Sequence, residues 1–428
     1  MKPLIKVGLI GFGTVGTGTA KLLLENAEEI RRKVGSRIEL SVICDLDIST
    51  PRVVKVDPSL LTTDVSKVID DPEIDIVVEL IGGVKPAGDF IRRALKNGKH
   101  VVTANKELIA KEGRTLLAEA QDNGLDLYFE GSVGGGIPII GPLRVYLAAN
   151  RITEVMGIVN GTTNYILTKM DKEGKDFAKA LAEAQKAGYA ESDPTNDIEG
   201  YDAQYKIAIL ASLAFGSVVD VRQIYTEGIT KVAQRDIEYA KELGYVIKLL
   251  AIARANHQSI QARVHPTLIS ARHPLASVSD VYNAIYVRGD FVQDVMFYGR
   301  GAGSLPTASA VVGDIMEIAR NINAGSNARL PFPFQDEKPV QGIEAIQARY
   351  YVRMLVADRP GVLAALAKVF GDNQVSIASV VQKDSQGDKA EIVLITHVVA
   401  ERNFRKAMEE MGRLQEVSEI CNWIRVEE

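Results

Sequence analysis

The sequence predicts an α/β protein in three parts: a doubly wound N-terminal sheet, a central α+β domain and a C-terminal βαββαβ domain. Three observations lead to this prediction. Short apolar runs alternate with helical stretches over residues 1–150, the pattern becomes mixed over residues 151–330, and a linker at 331–349 precedes a last alternating segment at 350–428. A chain of 428 residues has room for about three domains.

The first part reads as a parallel sheet with crossover helices. Buried parallel strands appear as continuous apolar runs, and helices separate them along the chain. The predicted strands are residues 5–10, 40–44, 76–80, 100–103 and 125–129. The predicted helices are residues 14–34, 86–97 and 106–123. This order is typical of a doubly wound domain.

The central part mixes both kinds of element. Predicted helices are residues 177–187, 201–215 and 236–243, and predicted strands are 246–253, 261–268 and 284–288. A proline-rich, charged stretch at residues 331–339 then disfavours both helix interior and central strand, so it is interpreted as a linker.

The C-terminal part repeats a strand and helix order that suits a four-stranded antiparallel sheet with two helices on one face. The predicted strands are residues 350–356, 377–382, 390–397 and 417–426. One helix opens at Pro360-Gly361 and runs to about residue 370, and a second covers residues 403–411.

Composition excludes several classes of protein. The net charge is −5, from 50 lysine and arginine against 55 aspartate and glutamate residues, which argues against a dedicated nucleic-acid binder. Cys44 and Cys421 are too far apart in the chain to suggest a disulfide framework or a thiolate zinc site. No apolar run reaches membrane-spanning length and no cleavable signal is visible, so we expect a soluble cytoplasmic protein without membrane partners.

A glycine-rich turn follows the first predicted strand. Gly11-Phe12-Gly13-Thr14-Val15-Gly16 has the spacing with which a Rossmann-type domain binds a dinucleotide. Gly11 allows the tight turn, Gly13 lets the backbone approach a pyrophosphate, and Gly16 lets the helix pack on the strand. The alternative is a purely structural turn.

The end of the second predicted strand bears on the choice between NAD and NADP. Asp45 or Asp47 could accept a hydrogen bond from the ribose 2′-hydroxyl of NAD. Arg52 and Lys55 follow closely and could instead bind the 2′-phosphate of NADP. Both acids could equally be solvated turn residues, so the residues alone leave the cofactor open.

Two lysines are candidate catalytic residues. Lys106 follows the fourth predicted strand, where ligands of such sheets gather. Lys206 lies four residues after Asp202 and just before an apolar run, so both face one side of a predicted helix at the margin of the core. An amine there can exchange a proton with an alcohol or a carbonyl. The alternatives are a solvated Lys106 and a surface ion pair between Asp202 and Lys206.

The segment before Lys206 is rich in acids. Glu191, Asp193 and Asp197 could hold the ammonium group of an amino-acid substrate, or they could be cap and turn residues around Pro194. The five histidines are scattered without metal-ligand spacing, which argues against a transition metal. Neither cysteine opens a helix in this region, which disfavours a thioester-forming aldehyde dehydrogenase.

The sequence resembles the homoserine dehydrogenase family over nearly its whole length. The most specific stretch is residues 184–206, where the spacing of the alanine, the glycines, Glu-x-Asp-Pro and the final lysine matches the family signature. Residues 103–107, 159–165 and 299–309 also resemble the family. The resemblance implies NAD(P)-dependent interconversion of L-homoserine and L-aspartate 4-semialdehyde, in threonine, methionine and isoleucine biosynthesis.

The resemblance also implies roles for individual residues. Lys206 matches the proton donor and acceptor, and Lys106 matches a second lysine at the cofactor and substrate. Glu191 and Asp202 match substrate-binding acids. The residues that match cofactor contacts are Phe12, Gly13, Thr14, Val15, Lys106, Gly188 and Gly303, beside Gly11 and Gly16 of the turn.

A loop at residues 130–137 matches the monovalent-cation site of the family. Glu130 and the backbone carbonyls of Val133, Gly135 and Ile137 would hold Na⁺ or K⁺, because hard oxygen ligands suit a hard cation. The alternative is a flexible connection. Cys44 stands where many relatives carry arginine, so we expect NAD to be accepted at least comparably with NADP.

The C-terminal part resembles an ACT domain, which has a ferredoxin-like fold, and Asp358-Arg359-Pro360-Gly361-Val362-Leu363 is a typical entry into its first helix. Such domains bind amino acids where sheets pair, which implies feedback inhibition with threonine as effector, and a homodimer or homotetramer. A dimerisation module that has lost its ligand is the alternative. For the whole chain, the alternatives are another Rossmann-type amino-acid dehydrogenase and a catalytically inactive nucleotide and amino-acid sensor.

Overall fold

The computed structural model describes residues 2–334 and 337–427. Gln335 and Asp336 of the predicted linker, together with the terminal residues Met1 and Glu428 of the outer predicted domains, lie outside the described residues. The chain forms two compact units: residues 1–155, 205–221 and 283–338 make the first, and residues 156–204, 222–282 and 339–428 make the second. The three-part division at residues 150, 330 and 349 stays a prediction.

The elements of the N-terminal region confirm the predicted alternation. They are β1 (Leu4–Ile10), α1 (Thr14–Glu25), α2 (Ala27–Val34), β2 (Arg37–Cys44), β3 (Leu61–Thr62), α3 (Ser66–Ile69), β4 (Ile76–Glu79), α4 (Ala87–Lys96), β5 (His100–Thr103), α5 (Lys106–Asp122), β6 (Leu127–Tyr128) and α6 (Ile140–Arg144). The predicted helix at residues 14–34 is interrupted at Asn26, which ends α1 and precedes α2. Asparagine is unfavourable inside a helix because its side chain competes for backbone hydrogen bonds.

The sheet of the first unit has the strand order β3-β2-β1-β4-β5-β6. The pairs are parallel, with β1 between β2 and β4. The chain therefore reverses direction along the sheet at β1, and the carboxyl end of this strand is where a doubly wound sheet binds its ligand.

The remaining elements are longer and more mixed. They are β7 (Ile152–Ile158), α7 (Gly161–Glu173), α8 (Phe177–Lys186), α9 (Thr195–Ile198), α10 (Tyr201–Phe215), β8 (Tyr225–Thr226), α11 (Gln234–Glu242), β9 (Tyr245–Ala255), β10 (Ile260–Ser270), β11 (Tyr282–Gly289), β12 (Gln293–Arg300), α12 (Ser304–Ala324), β13 (Gln347–Ala357), α13 (Val362–Asp372), β14 (Ile377–Gln386), β15 (Lys389–Thr396), β16 (Val399–Ala400), α14 (Glu401–Met411) and β17 (Val417–Glu427).

Helix α12 belongs to the first unit although it lies far along the chain. It packs on α1, and Val311, Ile315 and Ile318 join the same buried apolar cluster as Ile5 and Leu9 of β1. The apolar core beside β1 is thus completed by a segment that follows β12 in sequence.

The C-terminal part has the predicted βαββαβ order, with the two-residue strand β16 added before α14. Its antiparallel strands stand in the order β17-β13-β15-β14. Strand β17 also pairs in parallel with β10, with Thr267 opposite Arg425 and Ile269 opposite Glu427. Within the second unit one sheet therefore runs from β9 and β10 into the C-terminal strands. Among the described residues, we find no helix with the length and apolar character needed to cross a bilayer.

Candidate functional site

The glycine-rich turn connects β1 to α1 with room beside it. A Cβ on Gly16 would lie 2.0 Å from the carbonyl oxygen of Gly11, so this position accepts only glycine if the helix is to stay where it is. A Cβ on Gly13 would meet nothing within 4 Å. Gly13 is also the N-cap residue of α1, and no side-chain hydrogen bond caps this helix there. Open space beside backbone amides at a helix N-terminus fits the pyrophosphate of a dinucleotide.

The acids after β2 are turn residues of this loop. The carboxylate of Asp45 accepts hydrogen bonds from the backbone amides of Phe12 and, at 2.9 Å, Asp47. Hydrogen bonds from Thr50 and Ser49 hold the pKa of Asp47 well below its usual range. Asp45 therefore ties the glycine-rich turn to the end of β2.

The side chain of Arg52 contacts the same loop. Its guanidinium carbon lies 5.9 Å from the centre of the Phe12 ring, and Nη2 donates to the carbonyl oxygen of Asp47 at 3.0 Å. Its Nε is buried and has no hydrogen-bond partner. A buried guanidinium nitrogen without a partner beside a nucleotide-binding loop is suited to a phosphate.

Lys106 is the first residue of α5, at the carboxyl edge of the sheet. Asn105 caps this helix by accepting from the amide of Leu108 at 3.1 Å, and its own amide donates to the carbonyl oxygen of Gly83 at 2.6 Å. These bonds tie the start of α5 to the loop after β4. Lys106 is thereby held at the edge where the glycine-rich turn lies.

A buried glutamate organises the same edge. Glu79 at the end of β4 accepts from the hydroxyl of Thr103 at 2.7 Å and from the amide of Ile81 at 2.8 Å. Its exposed fraction is 0%, and burial raises its pKa despite these hydrogen bonds. Glu79 therefore fixes the loops that follow β4 and β5.

Gly303 precedes α12 in a backbone conformation that favours glycine, with φ of +117°. The next residue, Ser304, donates from its hydroxyl to the carbonyl oxygen of Thr14 at 2.6 Å. A Cβ on Gly18 would lie 2.6 Å from the backbone oxygen of Ser304, so α1 and α12 are in close contact. Gly303 is thus placed at the start of α1, beside the glycine-rich turn.

The acid-rich segment in the second unit is organised by Asn160. The side-chain amide of Asn160 donates to Asp197 at 2.7 Å and to Asp202 at 2.9 Å. Asp202 and Lys206 are both on α10 and only 5% and 7% exposed. A solvated surface ion pair therefore does not describe these two residues.

Two other acids of the segment, Glu191 and Asp193, are exposed. Asp193 accepts from the amide of Thr195 at 3.1 Å and from its hydroxyl at 2.6 Å, which lowers the pKa of Asp193. Asp193 is therefore a turn residue. Glu191 and Gly188 are exposed, and Gly188 has φ of +74°. The hydroxyl of Thr162 donates to the carbonyl oxygen of Tyr189 at 2.6 Å and so anchors the loop between them.

The carboxylate of Glu130 binds the backbone amides at the start of a helix. It accepts from the backbone amides of Ile139, Ile140 and Gly141 at 2.6, 2.8 and 2.6 Å, which lie at the N-terminus of α6. Burial raises the pKa of Glu130 despite these bonds. Its own amide donates to Asp314 at 2.8 Å.

The rest of the 130–137 loop is buried, except for the exposed Gly136. The amide of Gly136 donates to the carbonyl oxygen of Arg300 at 3.0 Å, and that of Ile137 to Gly134 at 2.8 Å. Among the turn and loop hydrogen bonds of the described chain, none uses the carbonyl oxygen of Val133, Gly135 or Ile137 as acceptor. Three carbonyls in one loop fit a hard monovalent cation.

Four residues that organise the site were not predicted from the sequence: Glu79, Asn105, Asn160 and Ser304. Asn105 and Asn160 each follow a β-rich run and precede a helix, which is the usual signal for a capping residue. That signal predicts where the helix starts. It does not predict that the side-chain amide of Asn105 also donates to Gly83, or that of Asn160 to two aspartates. Glu79 and Ser304 have no local signal.

Three family models match successive parts of the chain. The family model for the NAD-binding domain of homoserine dehydrogenase matches residues 11–130, and the model for homoserine dehydrogenase matches residues 138–316. The ACT domain model matches residues 350–416.

Individual relatives match over the whole length. The homoserine dehydrogenase of a Synechocystis strain is 47% identical and that of Bacillus subtilis 42%, with at least 98% of each chain covered. A solved homoserine dehydrogenase from Thiobacillus denitrificans has a TM-score of 0.93 at 46% identity, covering 99% of this chain and 98% of its own. A hyperthermophilic archaeal homoserine dehydrogenase, solved with NADPH, has a TM-score of 0.63 at 29% identity, covering 74% of this chain and 97% of its own.

Proposed function

The chain belongs to the homoserine dehydrogenase family, and we propose that Lys206, Lys106, Glu191 and Asp202 carry the family reaction here. The enzyme is an oxidoreductase with an NAD-binding domain and a C-terminal ACT domain. The comparisons give no support to another amino-acid dehydrogenase or to an inactive sensor. The observation that carries the proposal is the burial of Asp202 and Lys206 on one helix.

We propose a separate role for each of the four residues. Oxidation of homoserine breaks the C–H bond of its alcohol carbon and releases the hydroxyl proton. The nicotinamide cofactor, held at the glycine-rich turn with Gly188 and Gly303, supplies the hydride acceptor when bound. Lys206 takes the proton from the hydroxyl oxygen, or returns it to the carbonyl oxygen in reduction. Lys106 positions cofactor and substrate, and Glu191 and Asp202 bind the substrate.

We propose that NAD is accepted at least comparably with NADP, and that Arg52 provides the affinity for NADP. Its unpartnered Nε and its place beside Phe12 support this. The carboxylate of Asp45 already accepts hydrogen bonds from two backbone amides of the loop. Its proposed role is therefore to shape the turn and not to bind the ribose.

Replacement of Arg52 by alanine is expected to lower kcat/KM for NADP by about tenfold or more, because charge-assisted hydrogen bonds to the 2′-phosphate are lost. The value for NAD should stay within about twofold. Steady-state kinetics with both cofactors measures this, and Lys96→Ala, which alters an exposed lysine at the end of α4, is the control. A wild-type preference for NADP above about 100-fold would contradict the NAD proposal, and equal losses with both cofactors would contradict the role of Arg52.

We propose that a monovalent cation binds the carbonyl oxygens of Val133, Gly135 and Ile137 beside Glu130. Exchanging K⁺ or Na⁺ for tetramethylammonium should lower kcat/KM several-fold, since that ion is too large for a loop of buried carbonyls. Adding back K⁺ or Na⁺ at constant ionic strength should restore the rate. Unchanged rates in all three salts would reject the site.

Threonine is the proposed effector of the ACT domain, and we propose that this domain acts through a buried arginine of β17. Arg425 of β17 is 1% exposed and donates to Glu401 at 2.8 Å and to Glu227 at 3.1 Å. Glu227 stands just after β8, outside the C-terminal part. The two carboxylates are therefore joined through one buried guanidinium.

The loop after Glu227 contacts the acid-rich segment. The amide of Ile229 donates to the carbonyl oxygen of Ile198 at 2.8 Å. A Cβ on Gly228 would lie 2.1 Å from the same oxygen, so only glycine permits this approach. A shift of Arg425 on effector binding would thus reach the segment that carries Asp197 and Asp202.

Glu227→Gln is expected to weaken threonine inhibition about fivefold or more, because the charge-assisted bond to Arg425 is lost, while the uninhibited kcat changes little. Threonine titrations of wild type and variant at fixed homoserine measure this. Glu419→Gln, on the same strand as Arg425, is the control. Absence of inhibition and binding in wild type at millimolar threonine would reject the regulatory proposal. Normal inhibition of Glu227→Gln would reject only the route.

We also propose that the protein is cytoplasmic and that it acts in threonine, methionine and isoleucine biosynthesis. We further propose that it assembles as a homodimer or homotetramer. These proposals rest on the family resemblance. Light scattering of the purified enzyme tests the assembly, and a monomer at micromolar concentration would reject it. Growth of a homoserine-requiring strain carrying this gene tests the biosynthetic role, and failure to grow despite soluble expression would reject it.

A further inference from the structure

Asn160 occupies an unusual position between β7 and α7. It is only 5% exposed, and one side-chain nitrogen contacts two carboxylates, those of Asp197 and Asp202. It also caps α7, because its side-chain oxygen accepts from the amide of Thr163 at 2.9 Å. One side chain therefore connects the start of a helix with two acids of the site.

The chemistry of the amide determines which way it faces. The oxygen of Asn160 accepts from both the amide and the hydroxyl of Thr163, each at 2.9 Å. The NH₂ group is the donor of the side chain, and it faces the carboxylates of Asp197 and Asp202. Residues of another type would lose one of these functions: aspartate has no donor, and serine is too short to reach both acids.

Two carboxylates near one point repel each other, and repulsion turns them apart or protonates one of them. A shared N–H donor opposes this without adding charge. The N-terminus of α7, a helix of 13 residues, adds partial positive charge in the same place. Asn160 thus holds Asp197 and Asp202 facing one nitrogen, an arrangement in which they can meet the ammonium group of an amino acid.

We propose that Asn160 is a positioning residue for substrate binding, which holds Asp202 in the orientation that binds homoserine. This rests on the proposed role of Asp202 in the reaction. Asn160 itself contacts no reacting atom. Its contribution is to the affinity for homoserine, and not to the cofactor or to the proton transfer at Lys206.

The test is Asn160→Ser, which keeps a good helix cap and removes the amide donor. We expect KM for homoserine to rise about tenfold or more, with KM for the cofactor within about twofold of wild type. Asn160→Asp, which also keeps the cap but adds a third carboxylate, should raise KM for homoserine further.

A matched control is available on the same helix. Asn164 is also buried, at 2%, but its amide donates to the carbonyl oxygens of Asp280 and Tyr282, each at 3.0 Å. Asn164→Ser should leave KM for homoserine within about twofold. If that variant fails to fold, Thr168→Val replaces it, because the Thr168 hydroxyl accepts from the amide of Asp280 at 3.0 Å.

The following outcomes would overturn the proposal or one of its premises. An unchanged KM in Asn160→Ser, or an equal rise in the control, overturns the proposal. An unchanged KM in Asp202→Asn overturns the substrate role of Asp202 instead, whatever Asn160→Ser shows. If Asn160 acts through Asp202, the double variant should be no worse than Asp202→Asn alone, and additive losses overturn this mechanism.

Discussion

Replacing Lys206 with alanine is expected to lower kcat by about 100-fold or more, because positioned acid–base groups contribute 10²- to 10⁴-fold. Lys206 is 7% exposed on α10, and the residues that follow it on this helix, Ile207 to Ala211, are buried. Water is therefore a poor substitute for the amine. The loss should appear in both directions of the reaction, since the same group gives and takes the proton.

Absorbance at the nicotinamide band, with homoserine and either cofactor, measures the effect. Lys111→Ala is the control, since Lys111 lies near the same helix, with Nζ 5.4 Å from the centre of the Tyr205 ring, and is proposed to have no part in the reaction. Its kcat should be close to that of wild type. Near-normal turnover of a folded Lys206→Ala enzyme would remove Lys206 from the mechanism.

Replacing Arg425 with methionine is expected to destabilise the second unit by about 3–5 kcal/mol. Glu401 is 0% exposed and accepts from two nitrogens of Arg425. Removing the guanidinium leaves a buried carboxylate with the Tyr350 hydroxyl, at 2.6 Å, and Arg405 as its remaining partners. A second buried pair between Arg263 and Glu427 lies next to it on the paired strands β10 and β17.

Guanidinium chloride unfolding of wild type and variant at several pH values measures this loss. Burial alone would raise the pKa of Glu401, but the hydrogen bonds from Arg425 and Tyr350 and the positive charges of Arg425 and Arg405 together outweigh burial, so the pKa lies below its ordinary value of 4.5. A lowered pKa stabilises the fold above the unfolded value, and that stability is lost as pH falls through the folded pKa. The deficit of the variant should therefore be full above about pH 4.5 and shrink below it.

Lys368→Met is the matched control, because its ion pair with Asp372 is exposed. Exposed pairs contribute little to stability, so the unfolding midpoint of this variant should equal that of wild type. A midpoint of Arg425→Met equal to that of the control would show that the buried pair does not stabilise the junction between β10 and β17.

Most strands could be predicted from the sequence because each one is a local apolar run. Strand β5 lies at the predicted residues, and β1 and β4 differ from prediction by one residue each. The prediction missed β7, whose apolar residues are interrupted by Thr153 and Glu154, and β12, whose residues alternate between exposed and half-buried, since neither strand is a continuous apolar run. It also missed the break at Asn26, because the apolar residues of α1 and α2 continue one helical pattern across it.

The candidate site divides in the same way. The glycine spacing and the acid-rich segment are local patterns, so Gly13, Lys106, Asp202 and Lys206 could be chosen from the sequence. The partners of these residues could not. Asn160 lies 42 residues from Asp202, and Ser304 lies 290 residues from Thr14.

The sequence by itself determined the chemistry, since residue types and short spacings were enough to predict a dinucleotide turn, two lysines and a set of acids. Only the tertiary structure decided what holds them: Asn160 between two carboxylates, Arg52 against Phe12, Glu130 at the start of α6, and Arg425 between Glu401 and Glu227. The physical reason is that hydrogen-bonding capacity belongs to a residue type, whereas the partner that satisfies it when buried depends on which distant segments pack together.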